Sequence, residues 1–147
     1  MTSHLSFFAL ALAAGIGIPI MAAMNANLGG QIGSPVAATV ILFIVALSCA
    51  LGVLAYTGLP PKSLSAAPAY TFIGGVFVAF YALSITWAAP HIGVGNAVFF
   101  VLLGQMIAAT TIDHWALFGA VHSPVTLKRL AGLGLMAVGL YLARRTV

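Results

Sequence analysis

VAATVILFIVALSCALGVLAY, residues 36–56, holds twenty-one residues without a single charged side chain. A helix rises about 1.5 Å per residue, so about 20 apolar residues cross the ~30 Å hydrocarbon core of a bilayer. This run is long enough to do so alone. Working outward, comparable runs occupy Leu5 to Met24, Ala69 to Ala89, Gly93 to Ile112 and Pro124 to Ala143. With their flanks included, five helices are predicted over about 5–28, 35–57, 68–89, 93–118 and 124–144, in one transmembrane domain spanning 1–147. The apolar runs are continuous, whereas a barrel strand would alternate apolar and polar residues.

Composition agrees. Hydrophobic residues make up 63% of the chain and charged residues 4%, against roughly 25% charged in soluble domains. Five Lys/Arg and one Asp cannot cover the surface of a soluble fold. The net charge of +4 comes from basic residues that flank apolar runs, as membrane helices are bounded, and gives no support for nucleic-acid binding. Cys49 is the one cysteine and lies inside an apolar run, so neither a disulfide framework nor a CxxC metal site is expected. The first run lacks a basic leader and exceeds the 7–15 apolar residues of a signal peptide, so it reads as a mature helix. The expected class is an all-α, multi-pass protein of a bacterial-type inner membrane, with no cofactor and no metal.

Five helices place Lys62, Lys128 and Arg129 on one side and Arg144 and Arg145 on the other. Three charges against two is a weak bias under the positive-inside rule. Dual insertion is the expectation, and with an odd number of helices two opposed copies form an inverted homodimer, as inverted repeats do within one chain. Small residues stand at helix-packing spacing in Ala9, Ala13 and Gly17 and again in Gly132, Gly139 and Ala143. They suit either packing within one subunit or a dimer seam. Ser34-Pro35 and Ser123-Pro124 each place a hydroxyl at an N-cap and a proline at the first helical position, marking starts for helices two and five.

The segments YALSITWAAPHIGVGNAVFFVLLGQMIAATTIDHWALFG (81–119) and HSPVTLKRLAGLGLMAVGLYLARR (122–145) resemble the drug/metabolite transporter superfamily, most closely its five-helix YdcZ-like branch. The matching elements are Asn25, Asn27 and Gly29, Gly74-Gly75, Ala88-Ala89-Pro90 with Gly93, Gly104-Gln105, Asp113-His114 with Gly119, and the Gly-rich last helix. The resemblance covers nearly the whole chain. It implies a small-molecule transporter, and an inverted pair similar to the ten-helix members, whose two halves face opposite ways. One departure is Met21, where the family pattern often carries a Gln four residues before the helix-one Asn.

Polar groups at membrane depth are costly and point to function. Gln105, near the middle of helix four, is the first candidate for binding substrate. Tyr81, Ser84 and Trp87 stand three apart in helix three and would form an aromatic wall with hydroxyls, although Trp87 also suits an interfacial belt. Asn25, where helix one is expected to end, and Asn96, at the start of helix four, are candidates either to line a path or to cap. Asp113, the only acid, lies eight residues beyond Gln105, or about 12 Å along the helix and near the interface. With His114 it would either carry a coupling proton or anchor the loop between helices four and five through Lys128 or Arg129. Helix one has no ionisable group at its centre, so a neutral or anionic metabolite fits better than a cationic drug. No nucleophile–base pair or phosphate loop suggests an enzyme. The alternatives are a dual-topology ion channel or a non-transporting membrane partner subunit.

Overall fold

The structure is a computed structural model and describes residues 2–58 and 67–143. Most of these residues lie in five helices: α1 (Thr2–Ile32), α2 (Pro35–Thr57), α3 (Gly74–Ile92), α4 (Val94–His114) and α5 (Leu127–Ala143). Short 3-10 turns cover Ala69–Ile73, ahead of α3, and Leu117–Gly119, after α4. Four segments, His4–Ile32, Pro35–Thr57, Ala69–Ile92 and Val94–His114, are long and apolar enough to cross a membrane. α5 has 17 described residues and falls short of them. Lys62, Arg144 and Arg145, which carried part of the orientation count, lie outside the described residues. The chain divides into two compact units, one running to His91 and the other beginning at Ile92.

In the first unit, burial concentrates at one end of three helices. Ala22, Asn25 and Gly29 of α1, Ala38 and Thr39 of α2, and Ala82, Ile85, Thr86 and Ala89 of α3 are buried. The spacings 22/25/29 and 82/85/86/89 place these residues on one face of each helix. Toward the other end, residues 4–17, 44–57 and 69–78 are exposed all round. The α1–α2 hairpin explains the tight end. Gly33 turns the chain with φ of +69°, and the Ser34 amide donates to the Gly29 carbonyl at 3.0 Å. Ser34 Oγ then caps α2 by accepting from the Ala37 amide at 3.1 Å, and Pro35 occupies the first turn. Backbones approach so closely here that a Cβ on Gly29 would lie 3.2 Å from Pro35 Cα.

Several helix ends differ from the sequence expectation. α1 continues four residues past the expected end, to Ile32, because Asn25 and Asn27 sit in its interior instead of breaking it. α3 also runs on, to Ile92 with Pro90 inside its final turns, and Gly93 at φ +83° alone separates it from α4. α4 stops at His114, earlier than 118, because Ala116 and Phe118 take left-handed backbone with φ of 49° and 59°. Ser123-Pro124 does not begin α5. That helix starts at Leu127, and Thr126 Oγ1 accepts from the Arg129 amide at 3.2 Å, so Thr126 is the cap.

Gly29→Leu is expected to lower the unfolding midpoint in detergent markedly, since overpacking against a backbone atom costs about 1–3 kcal/mol and exceeds the ~1 kcal/mol gained in helix propensity. Gly30→Leu, at a position with nothing within 4 Å, should leave the midpoint unchanged or raise it. Equal effects would show that the hairpin is not packed at Gly29.

Candidate functional site

Asn25 is 4% exposed and joins the three helices of the first unit. Its Nδ2 donates to Thr86 Oγ1 of α3 at 2.6 Å and to Thr39 Oγ1 of α2 at 3.4 Å. The Thr39 hydroxyl in turn donates to the Pro35 carbonyl at 2.9 Å. Both amide hydrogens of Asn25 are thus taken up inside the unit, in a helix-to-helix knot and not a cap. Asn27 is exposed and its Oδ1 accepts from Gln31 Nε2 at 2.6 Å, one helical turn away. Thr39 and Thr86 were not singled out in the sequence. The available signal was that each is a hydroxyl inside an apolar run.

The wall expected from Tyr81, Ser84 and Trp87 is not assembled within the unit. Ser84 is exposed and Trp87 is 65% exposed, with its ring 5.3 Å from that of His91, whose Nδ1 lies 2.7 Å from the Trp87 carbonyl. The Tyr81 hydroxyl is buried and has no hydrogen-bond partner among the described residues. Ser48 is exposed and satisfied within its own helix by the Ile44 carbonyl.

In the second unit, Asn96 is buried, and its Nδ2 donates to the Ile92 carbonyl at 2.9 Å, tying the first turn of α4 to the residue before Gly93. It lines a cavity of about 170 Å³ with Phe99, Phe100 and Leu103 of α4 and Ala137, Leu140 and Tyr141 of α5. Gln105 is nine residues on, which places it about 180° around α4 from Asn96. It is exposed, at the middle of the 21 residues of α4. Asn96 and Gln105 therefore do not share a face.

The carboxylate of Asp113 pairs with Arg129 at 2.6 Å, both side chains being about a third exposed. The expected choice between Lys128 and Arg129 thus falls on Arg129. The same guanidinium reaches Ser123 Oγ at 3.2 Å, and the Ser123 amide donates to the Asp113 carbonyl at 2.9 Å. His114 Nδ1 accepts from the Val125 amide at 3.2 Å, which puts the ring proton of neutral His114 on Nε2. Residues 113–129 form a closed clasp: acid and imidazole each hold the α4–α5 loop by a separate bond.

Three outcomes test these placements. A double-mutant cycle of Asn25→Ala and Thr86→Val should give a coupling of about 0.6–1.7 kcal/mol in thermal unfolding, the range of interhelical hydrogen bonds in membrane proteins; a coupling of zero contradicts the knot. Tyr81→Phe should leave stability within ~0.5 kcal/mol, because no partner is lost. Asp113→Asn should reduce the yield of folded protein and cost about 1 kcal/mol, given the partial exposure of the pair, with any pH-dependence of flux kept. Loss of that pH-dependence at full yield would make Asp113 a proton carrier instead.

No curated protein and no solved structure matches the chain. A family does, over residues 6–142, described as "Putative inner membrane exporter, YdcZ". The match takes in all five helices, the knot, the cavity and the clasp. A chain of long apolar helices that matches this family over nearly its whole length is a membrane transporter of the inner membrane, and it belongs to the YdcZ family.

Proposed function

We propose that the protein is a secondary transporter that works as a pair of oppositely inserted copies, with the cargo site at their interface around Gln105. The observation that carries this reading is the exposure of Gln105 at mid-helix. An amide facing hydrocarbon without a partner costs several kcal/mol, so a second copy or a water-filled path has to meet it. Other features agree. Among the sixteen glycines only Gly29 has another atom within 4 Å of an added Cβ, leaving Gly15, Gly17, Gly104, Gly132 and Gly139 open. Small residues in membrane helices serve close backbone approach, and among the described residues none makes that approach at these five glycines. Ser84 and Trp87 are exposed as well and could join such an interface, whereas Asn25 is occupied by its threonines and serves to hold the helices that frame it.

Opposed insertion follows if α5 also crosses the membrane, which its 17 described residues permit at the short end of the usual 17–25. Asp113 is paired and lies at the end of α4, which favours anchoring over proton coupling. Cargo held by amides and aromatic groups, without a free carboxylate at the centre, is neutral or anionic. Alternating access would rock one copy against the other about the shared site.

Uptake into proteoliposomes, screened across metabolite classes with and without a pH gradient, tests the reading. Saturable uptake is expected, reduced more than ~tenfold by Gln105→Leu at equal protein content, a change of about 1.4 kcal/mol or more in transition-state stabilisation. Full activity in Gln105→Leu, or unsaturable currents, would overturn it.

A further inference from the structure

The loop between α4 and α5 is held by bonds of two kinds, and one of them depends on a proton. Two loop amides reach back to the end of α4: Ser123 donates to the Asp113 carbonyl at 2.9 Å, and Val125 donates to His114 Nδ1 at 3.2 Å. A backbone carbonyl accepts at any pH. An imidazole nitrogen accepts only while unprotonated, because both ring nitrogens of the charged form are donors. Imidazole is also the one side chain whose charge ordinarily changes between pH 5 and 8. His114 is the last residue of α4, where the free carbonyls of a helix end favour positive charge. His114 and Val125 are both half-buried, so water replaces a lost acceptor incompletely. The other charged or titratable side chains at this end of α4 and α5 are Asp113, His122, Lys128 and Arg129. Asp113 and Arg129 are paired at 2.6 Å, and His122 and Lys128 are exposed. Carboxylates and guanidinium groups ordinarily keep their charges over this pH range, so the pair is not the part of the clasp that a proton releases.

We propose that His114 is a proton-operated latch on the α4–α5 loop. Neutral His114 accepts from the Val125 amide, and the loop is closed. Protonation of Nδ1 sets one N–H against another, the bond is lost, and the chain from Ser123 to the first turn of α5 is released. The sign follows directly: the bond is present where the imidazole is neutral and is lost as falling pH protonates it. The Asp113–Arg129 pair and the Ser123 amide bond remain, so the release is local and α5 stays attached. The latch needs neither a second copy nor cargo, and so does not rest on the reading of Gln105.

Amide hydrogen exchange of the full chain in phosphatidylcholine nanodiscs reads the latch, with each rate divided by the intrinsic rate at that pH. Val125 should be protected at about pH 7.5 and lose about tenfold of that protection by about pH 5, the effect of one hydrogen bond, while Ser123 keeps its own. In His114→Asn a side-chain oxygen can stand where Nδ1 stands and does not titrate, so Val125 protection should be equal at both pH values. His114→Phe offers no acceptor and should show low protection at both. Unchanging protection in the unaltered protein overturns the proposal. So does an equal fall in His114→Asn, which would place the titrating group elsewhere, or full protection in His114→Phe. If His114→Asn does not fold, nitrogen-15 NMR of labelled histidine in the unaltered protein decides. Nδ1 of His114 should carry no proton at about pH 7.5 and gain one over the pH range in which Val125 loses protection. A proton already on Nδ1 at the higher pH contradicts the latch. Because the readout is exchange and not flux, failure here leaves the transport reading standing, and failure of transport leaves the latch standing.

Discussion

One side-chain amide organises the first half of the chain. Asn25 has two hydrogens to donate, and it places one on a threonine of α2 and one on a threonine of α3. In water such bonds would be exchanged for solvent at little net cost. Inside a bilayer each group has only protein to meet, so the three helices are drawn together where those groups lie. Apolar surface cannot do this, because lipid tails solvate a leucine as well as another helix does. That constraint explains the uneven burial of the unit: helices pack around Asn25, Thr39 and Thr86 and the adjoining Gly29 contact, and are exposed at the other end.

The second unit obeys the same constraint at its loop. Asp113, Ser123, His114 and Arg129 satisfy one another and the backbone of the α4–α5 connection, where water and headgroups ease the burial of charge. Among the polar side chains near mid-helix, most are engaged by a neighbour or by their own helix. Gln105, among the described residues, is exposed at the middle of α4. In the proposed function, that exposed amide in the apolar middle of α4 is the group that a second copy or cargo would meet.

The membrane class, the four longest helices and the α2 cap could be read from the sequence because each rests on a local rule: run length, absence of charge, and Ser-Pro at a helix start. The partner of Asp113 could be narrowed to two basic residues for the same reason. The role of Asn25 could not. As a turn-forming residue near Gly29-Gly30 it suggested an end to α1, whereas its partners are two distant threonines, 14 and 61 residues away. Ser123-Pro124 misled similarly, since Arg129 and the Asp113 carbonyl claim Ser123 and leave Thr126 to cap α5. The cavity was out of reach, since Phe99 and Tyr141 lie forty-two positions apart and become neighbours only when α4 and α5 pack. Long-range polar contacts, not helix propensity, account for most of these differences.

The inverted pair is tested most directly by the side of the membrane on which one loop residue lies. His122 is exposed in the connection between α4 and α5, and Cys49 is the only native thiol. In a Cys49→Ser, His122→Cys protein, a membrane-impermeant maleimide should label about half the molecules from outside intact spheroplasts and the remainder only in inverted vesicles. Labelling confined to one face would contradict opposed insertion.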